Sequence, residues 1–537
     1  MRKSYLVRRC DADDESGQHD EGGSSSWEKE SSKPLLNLFK GVQPKRTTNS
    51  ISSSMEDRLR DKMRGCLVGS LVGDCIGTLF ECDYTVSYSI LGDLYLSLTN
   101  LSEDEKLMDL HGIDFSVGPK LAQQMLERKR ASIVPIIQSD ENGDSDHHNN
   151  TAKGPIIQAV VPPKRHSSFE RRRESFSRPI EKFSDDTVMI RSVVRSLIRM
   201  RGLDQRDMAT QLTDDYFLNL SRKYGSLCDG AFSREIFTQI RNSGYSDPVA
   251  PARKSVGNIG AQGNEGATRV APVALFGWNL DFNNVAEMAT KLTKITNYHK
   301  SAVIGAACQA LSVHKAFNWD LNPDGNTMPT VTRGRLGSRL TPTMKRKIPK
   351  QENIPMNAHS EMDFDYREFC QQLIEEISHV ESKNASFFEN FKSLMSSHRE
   401  IAEIGESAYI AKINTIVEFM DRSDAPSRAE VVEKLGNAVK AIDSVPTALF
   451  SFLMSATKAK FTELPVHIKS PVLKSIFYAI SLGGDSDTTA SMAGAISGAY
   501  WGYNSIPQEI LRVCEGANDA KNLADELFNH CHNNSNN

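Results

Sequence analysis

Seven side chains, from three segments far apart in the chain, carry the residue types that do metal-assisted chemistry: Glu81; Ser184, Asp185 and Asp186; Asp485, Asp487 and Thr488. Every one of them offers oxygen, and none is His or Cys. Oxygen-only donor sets select hard cations, Mg²⁺ or Mn²⁺, over Zn²⁺. Five carboxylates in one cavity repel one another unless divalent cations lie between them. Two cations match that charge better than one. A two-metal site can orient hydroxyl groups and activate a bound water.

Each segment also has a simpler reading. Asp and Thr at helix starts most often cap the helix. Glu81, taken with its own segment, reads as a solvated carboxylate at a helix end. A calcium loop beginning at Asp485 is excluded, because an EF-hand needs Gly at its sixth position and Glu at its twelfth. Ala490 and Ile496 stand there. At Ser184–Thr187 capping needs one oxygen and four side chains supply one. A fourth stretch, Gly257–Arg269, reads GNIGAQGNEGATR, with glycine at 257, 260, 263 and 266. A glycine-rich loop leading into an apolar helix can aim backbone N–H groups at phosphate. Such loops are common, so this one gains meaning only beside the acids.

The elements that must position these groups are legible too. Ser481–Gly502, SLGGDSDTTASMAGAISGAYWG, reads as a tight turn feeding a buried helix. Ala490, Gly494 and Gly498 share one bare face of it. In MRGCLVGSLVGDCIGTLFE, Gly65, Gly69, Gly73 and Gly77 recur every four residues. Each mid-helix glycine costs about 0.8–1 kcal/mol against alanine. A stripe of four predicts a compensating close contact, and the face at Ala490–Gly498 is the expected partner. Phe183–Met200 is an amphipathic helix, Val285–Phe317 a long helical region, and Asp363–Leu453 is helical in pattern throughout. The expected fold is all-α, one multi-helix core.

The chain has 537 residues and a formal net charge of −4, with 39% hydrophobic and 25% charged residues. Near-neutral charge argues against direct DNA binding. No apolar run approaches the roughly 18 residues of a membrane span. Nine cysteines without a C-x-x-C pair read as reduced, mostly buried thiols. Residues 1–54 read as a disordered extension, 55–530 as the folded domain and 531–537 as a polar tail. About 102–180 and 318–365 read as polar inserts with basic tracts. The start is basic but turns acidic by Asp11, unlike a mitochondrial transit peptide.

GCLVGSLVGDCIGTLFE, FSDDT, GNEGATRVA and LGGDSDTTASMAGAISGAYWG together resemble the four signature blocks of the ADP-ribosylglycohydrolase family. LGNAVKAIDSVPTALFSFL and the last block are most similar to its ADP-ribosylserine hydrolase branch, which also trims poly(ADP-ribose). The likeness covers 62–101, 181–220, 255–317 and 400–530. It implies an all-helical domain with two Mg²⁺ ions in a cleft, Mn²⁺ being the alternative. By motif, Ser184, Asp185, Asp186 and Asp487 are implied as ligands of one ion. Asp485, Asp487 and Thr488 are implied for the other, with Asp487 bridging. Glu81 matches a mobile glutamate that gates the site and touches the second metal. Glu81 and Asp485 are the implied catalytic pair. Asp185, Gly260, Ala261, Gln262, Gly263, Asn264, Glu265, Asn297, Ile413 and Leu449 are the implied substrate contacts.

The implied reaction is release of ADP-ribose from modified serine, from poly(ADP-ribose) or from O-acetyl-ADP-ribose, by attack of water at the distal ribose. ADP-ribosylated proteins and the polymer are the implied partners. A monomer in nucleus and cytoplasm is expected, with the mitochondrial matrix as a lesser alternative and DNA-damage signalling as the setting. Four positions depart from the family pattern. Glu265 replaces a glycine in a Gly-Asn-Gly-Gly loop, Ala261–Gln262 replaces Ser-Tyr, Val256 replaces an adenine-side Phe, and Thr296–Asn297 replaces Thr-His, with His299 two residues on. The alternatives are an arginine-specific hydrolase and a non-catalytic ADP-ribose-binding scaffold. The complete set of metal-ligand positions favours the hydrolase.

Overall fold

The structure is a computed structural model, and it describes residues 53–99, 181–222, 230–321, 364–385, 408–457, 464 and 468–535. The expected extension up to residue 52, and most of both expected inserts with their basic tracts, lie outside the described residues. At four boundaries order reaches further than the sequence led us to expect. α1 begins at Ser53, and the last helix runs to Ser535 instead of giving way to a tail at 531. The second insert is ordered at both ends: Leu321 and Phe364 are buried, and the Phe364 ring lies 5.3 Å from Trp319.

In chain order the helices are α1 (Ser53–Gly77), α2 (Tyr88–Thr99), α3 (Asp185–Met200), α4 (Gln205–Leu218), α5 (Gly230–Asn242) and α6 (Ala250–Lys254). A 3₁₀ turn, Ile259–Gln262, leads to α7 (Glu265–Thr268), α8 (Ala271–Phe276), α9 (Phe282–Thr293) and α10 (Lys300–Asn318). Then come α11 (Tyr366–Lys383), α12 (Ala408–Asp421), α13 (Arg428–Leu435), α14 (Ala441–Ala456), α15 (Pro471–Ser481), α16 (Ser486–Trp501), α17 (Gln508–Val513) and α18 (Ala517–Ser535). Among the described residues the only extended pairings are two isolated bridges, Glu181 with Cys514 and Gly263 with Lys440. The chain is therefore all-α. No described helix is long and apolar enough to cross a membrane.

The starts follow local chemistry. Asp204, Asp281, Asp365, Ser427 and Ser470 each accept a backbone N–H from the first turn they cap. The expected long helical region at 285–317 is two helices. His299 ends the break by capping α10, its ring accepting the Ser301 N–H at 3.1 Å. Burial pushes that imidazole down to about 4, so it caps as the neutral ring.

α1 and α16 form the centre. A Cβ on Gly65, Gly69 or Gly73 would run into the carbonyl of Gly498, Gly494 or Ala490, and one on Gly77 into the Asp487 backbone. In return, Gly494 and Gly498 lie against the carbonyls of Gly69 and Gly65. Backbone therefore meets backbone along the full expected stripe, and Ser70 and Ser491 pair beside it at 2.8 Å. α10, α14 and α15 pack around the remaining faces of α16. Gln309 of α10 donates to the Met492 carbonyl at 3.1 Å.

Candidate functional site

The acids sit where three helix ends converge on this central pair. At α3, Ser184 is the cap, its hydroxyl accepting the Asp186 N–H at 3.2 Å. One oxygen does the capping, and Asp185 and Asp186 are released for other work. Asp186 is buried, and its Oδ2 has no hydrogen-bond partner.

At α16 the cap position is Asp485, yet its side chain makes no capping bond. It instead accepts from the Asn264 amide at 2.5 Å, across from the glycine loop. Asp487 Oδ1 accepts the N–H of Thr488 at 2.9 Å. The turn before them needs Gly483 and Gly484, both in the left-handed region with φ of 71° and 73°. A side chain at either would collide with the backbone of Tyr84 or Asn437. That close approach ties the Glu81 loop to the turn before α16: Cys82 N–H donates to the Gly484 carbonyl at 2.8 Å, and Gly484 N–H to the Asp83 carbonyl at 2.9 Å.

Glu81 therefore follows α1 directly into the cluster. Its charge acts on Asp185, Asp485 and Asp487. Burial and then mutual repulsion hold the carboxyls above their ordinary range. Asp186 is raised well above by burial and by Asp74, Asp185, Asp487 and Asp485. Asp185 is raised well above by burial and then by Asp74. Asp487 is raised well above by burial, Asp485 and Glu81. Asp485 is raised by burial, against the Asn264 bond that favours its ionised form.

Sequence reasoning passed over Asp74. It lies on α1 inside the glycine stripe, fully buried. Its carboxylate accepts Ser184 N–H at 3.0 and 3.1 Å, Thr187 N–H at 3.2 Å and the Thr187 hydroxyl at 2.6 Å. It fixes the start of α3 against α1. The one local signal is a carboxylate in an otherwise apolar and glycine run.

The glycine loop is also beside the acids, but its amides are largely engaged. The N–H groups of Gly260, Ala261, Gly263 and Asn264 donate to Asn258 Oδ1, Asn258 O, Gly260 O and Val439 O. These four amides serve the loop's own fold. Ala261, Gln262, Asn264 and Asn297 are buried. The Phe232 ring packs on Gly260, an aromatic contact the sequence did not point to. Ile413 and Leu449 do not reach a surface: both have no exposure, as inward apolar positions of α12 and α14, which pack together.

The fit to metal rests on donor chemistry. Among the described residues no three His, Cys, Asp or Glu side chains are set, as they stand, to hold an ion. Local partners hold several donors instead: Asn264 on Asp485, the Thr488 amide on Asp487, the Asp186 amide on Ser184. Yet a buried carboxylate oxygen without a partner on Asp186 is a costly feature. A dense, buried carboxylate group calls for positive charge. An all-oxygen donor set of this kind fits hard divalent cations.

Comparison with known proteins shows the family. A model of the ADP-ribosylglycohydrolase family matches residues 55–537. The chain is similar to "ADP-ribosylhydrolase ARH3" of Gallus gallus, 30% identical over 66% of this chain and 78% of that protein. The Homo sapiens protein of the same name is 29% identical over 64% of this chain and 78% of its own length. A solved structure described as "ADP-ribosylglycohydrolase-related protein complex" aligns with 88% of this chain and 99% of that chain, with TM-score 0.42 and 14% identity.

Proposed function

Because the chain belongs to the ADP-ribosylglycohydrolase family and is a glycosidase-type hydrolase, we propose that it removes ADP-ribose from modified serine on proteins, and from poly(ADP-ribose) or O-acetyl-ADP-ribose, in a Mg²⁺-dependent reaction. One observation carries the metal dependence: Asp186, Asp485 and Asp487 are buried, with Asp185 half-buried beside them, and their charges act on one another. Resemblance to the serine-specific branch supports the acceptor.

Ser184, Asp185, Asp186, Asp485, Asp487 and Thr488 would hold the ions, with Glu81 at the second. Bound Mg²⁺ supplies positive charge that neutralises the cluster and polarises hydroxyl and water oxygens. The protein's own residues do the rest. α1 and α16, locked backbone to backbone, fix the spacing between Glu81 and the α16 acids. Glu81 takes a proton from the water whose oxygen bonds to the anomeric carbon. The bond from that carbon to the serine oxygen breaks, and Glu81 passes the proton it took from water to the leaving serine oxygen, which restores its carboxylate. Asp485 orients the glycine loop through Asn264.

The deciding experiment measures ADP-ribose release from seryl- and arginyl-modified peptides, with Mg²⁺ and with a chelator. Release from the seryl peptide alone, abolished by chelation and restored by Mg²⁺, is expected. Asp487→Ala should abolish Mg²⁺ binding in calorimetry. Release that persists in chelator, or a preference for the arginyl peptide, overturns the corresponding half of the proposal.

A further inference from the structure

Glu265 starts α7, where an acidic side chain favours the helix dipole. Its carboxylate nevertheless folds back over the preceding loop. A Cβ placed on Gly263 would strike both of its oxygens. It is held there by Asn297, whose amide donates to Glu265 Oε2 at 2.8 Å and to the Gly260 carbonyl at 3.1 Å. Behind Asn297 the donors continue into the core. The Thr296 hydroxyl donates to Asn297 Oδ1 at 2.6 Å, and Arg269 donates to that hydroxyl at 2.6 Å. Arg269 has no exposure, so a buried guanidinium anchors the far end. Each bond in the series points its hydrogen toward Glu265, and aligned hydrogen bonds polarise one another. Two of the departures from the family pattern, Glu265 and Asn297, are thus partners.

The position matters because the same loop borders the acids. Asn264, next to Glu265, donates to Asp485, and the charge of Glu265 acts on Asp185. We propose that Glu265 is a specificity gate: held over Gly263 by Asn297, its carboxylate occupies the place where the loop would receive an anionic substrate group, and the diphosphate of an ADP-ribosyl substrate has to displace it. This rests on the reading that the substrate carries ADP-ribose. A site that is competent only while the gate is out shows an affinity reduced by the fraction of time it is out. Shape and charge act in the same direction, since like charges in a covered site disfavour each other. The gate therefore lowers the affinity of every ligand that must displace it by the same factor, and free ADP-ribose, with no further contacts to offset that loss, is left weakly bound.

The test is titration of the full-length, Mg²⁺-loaded protein with ADP-ribose, beside KM and kcat on an ADP-ribosylated seryl peptide. Glu265→Gly should tighten ADP-ribose by roughly ten- to a hundredfold, the range for a gate closed about 90–99% of the time. KM should fall with it, and kcat should move less. Asn297→Ala, which frees the side chain but leaves its charge, should tighten binding by a smaller factor. Glu265→Gln keeps the shape and removes the charge, and should fall between wild type and Glu265→Gly. Unchanged or weaker ADP-ribose binding in a folded Glu265→Gly protein overturns the gate. If wild type cleaves the peptide while that variant gains nothing, the gate alone fails. If no folded form binds ADP-ribose, gate and substrate reading fail together.

Discussion

Asp74 receives both the main-chain N–H and the hydroxyl of Thr187 on a single carboxylate oxygen, at 3.2 and 2.6 Å. Together with the Ser184 N–H, this fastens the first turn of α3 to the helix that leads to Glu81. Asp74→Ala leaves these buried donors without an acceptor, at about 1–3 kcal/mol each. We expect a loss of at least about 3 kcal/mol in denaturant unfolding, with weaker Mg²⁺ binding in calorimetry because Asp185 and Asp186 lose their fixed base. A variant with wild-type stability and Mg²⁺ affinity would remove Asp74 from the support of the site.

The raised carboxyls predict an unusual pH response for the metal-free protein. Asp185, Asp186 and Asp487 are held well above, and Asp74 and Asp485 above, their ordinary range. The folded state then binds more protons than the unfolded chain. That contribution to stability is fully present below the unfolded value of about 3.9 and is lost as pH rises through the folded values. In chelator, the melting temperature should therefore fall between mildly acid and mildly alkaline pH. Saturating Mg²⁺ should raise it most at the alkaline end, where all carboxylates are charged. A chelated protein whose melting temperature climbs steadily with pH would contradict the clustering of charge.

Glu81→Gln keeps shape and removes the proton acceptor. General acid–base help of this kind is worth about 10²–10⁴ in rate. We expect a turnover loss in that range in single-turnover assays, with folding and ADP-ribose binding retained. A near-normal rate would move proton transfer to Asp485 or to water.

Gly69→Ala tests the central contact. On propensity alone it should stabilise α1 by about 0.8–1 kcal/mol. The added methyl would instead enter the Gly494 carbonyl. Overpacking of this kind costs about 1–3 kcal/mol, so the net change in urea unfolding should be destabilising. A gain in stability would mean the two backbones part easily.

The central pair was legible in the sequence because a missing Cβ leaves a direct trace: glycine every four residues on α1, small residues every four on α16. The acids were legible as residue types, and their release from capping shows only in the coordinates, where Ser184 caps and Asp485 does not. Asp74 escaped because its partners lie 110 and 113 residues away, and a lone carboxylate on an apolar helix carries no local motif. The same is true of Glu265 and Asn297, 32 residues apart. The helix break at residue 297 is set by buried hydrogen bonds around Thr296 and Asn297, which periodicity does not register. Ile413 and Leu449 show the converse: motif likeness assigned contacts to side chains that packing keeps in the core.

The pairing of α1 with α16 also sets an order of events in synthesis. Ser70 and Ser491, which meet at its middle, are 421 residues apart in the chain. α1 is made with a glycine face whose partner follows 421 residues later, and it waits for that partner. Contacts of such separation are slow to form because loop closure precedes any reward. During that wait the nascent chain exposes a groove bare of side chains, the condition under which chaperones are recruited and misassembly begins. Assembly of the acid cluster then coincides with docking of α16, so the proposed metal binding would report that the whole domain has closed.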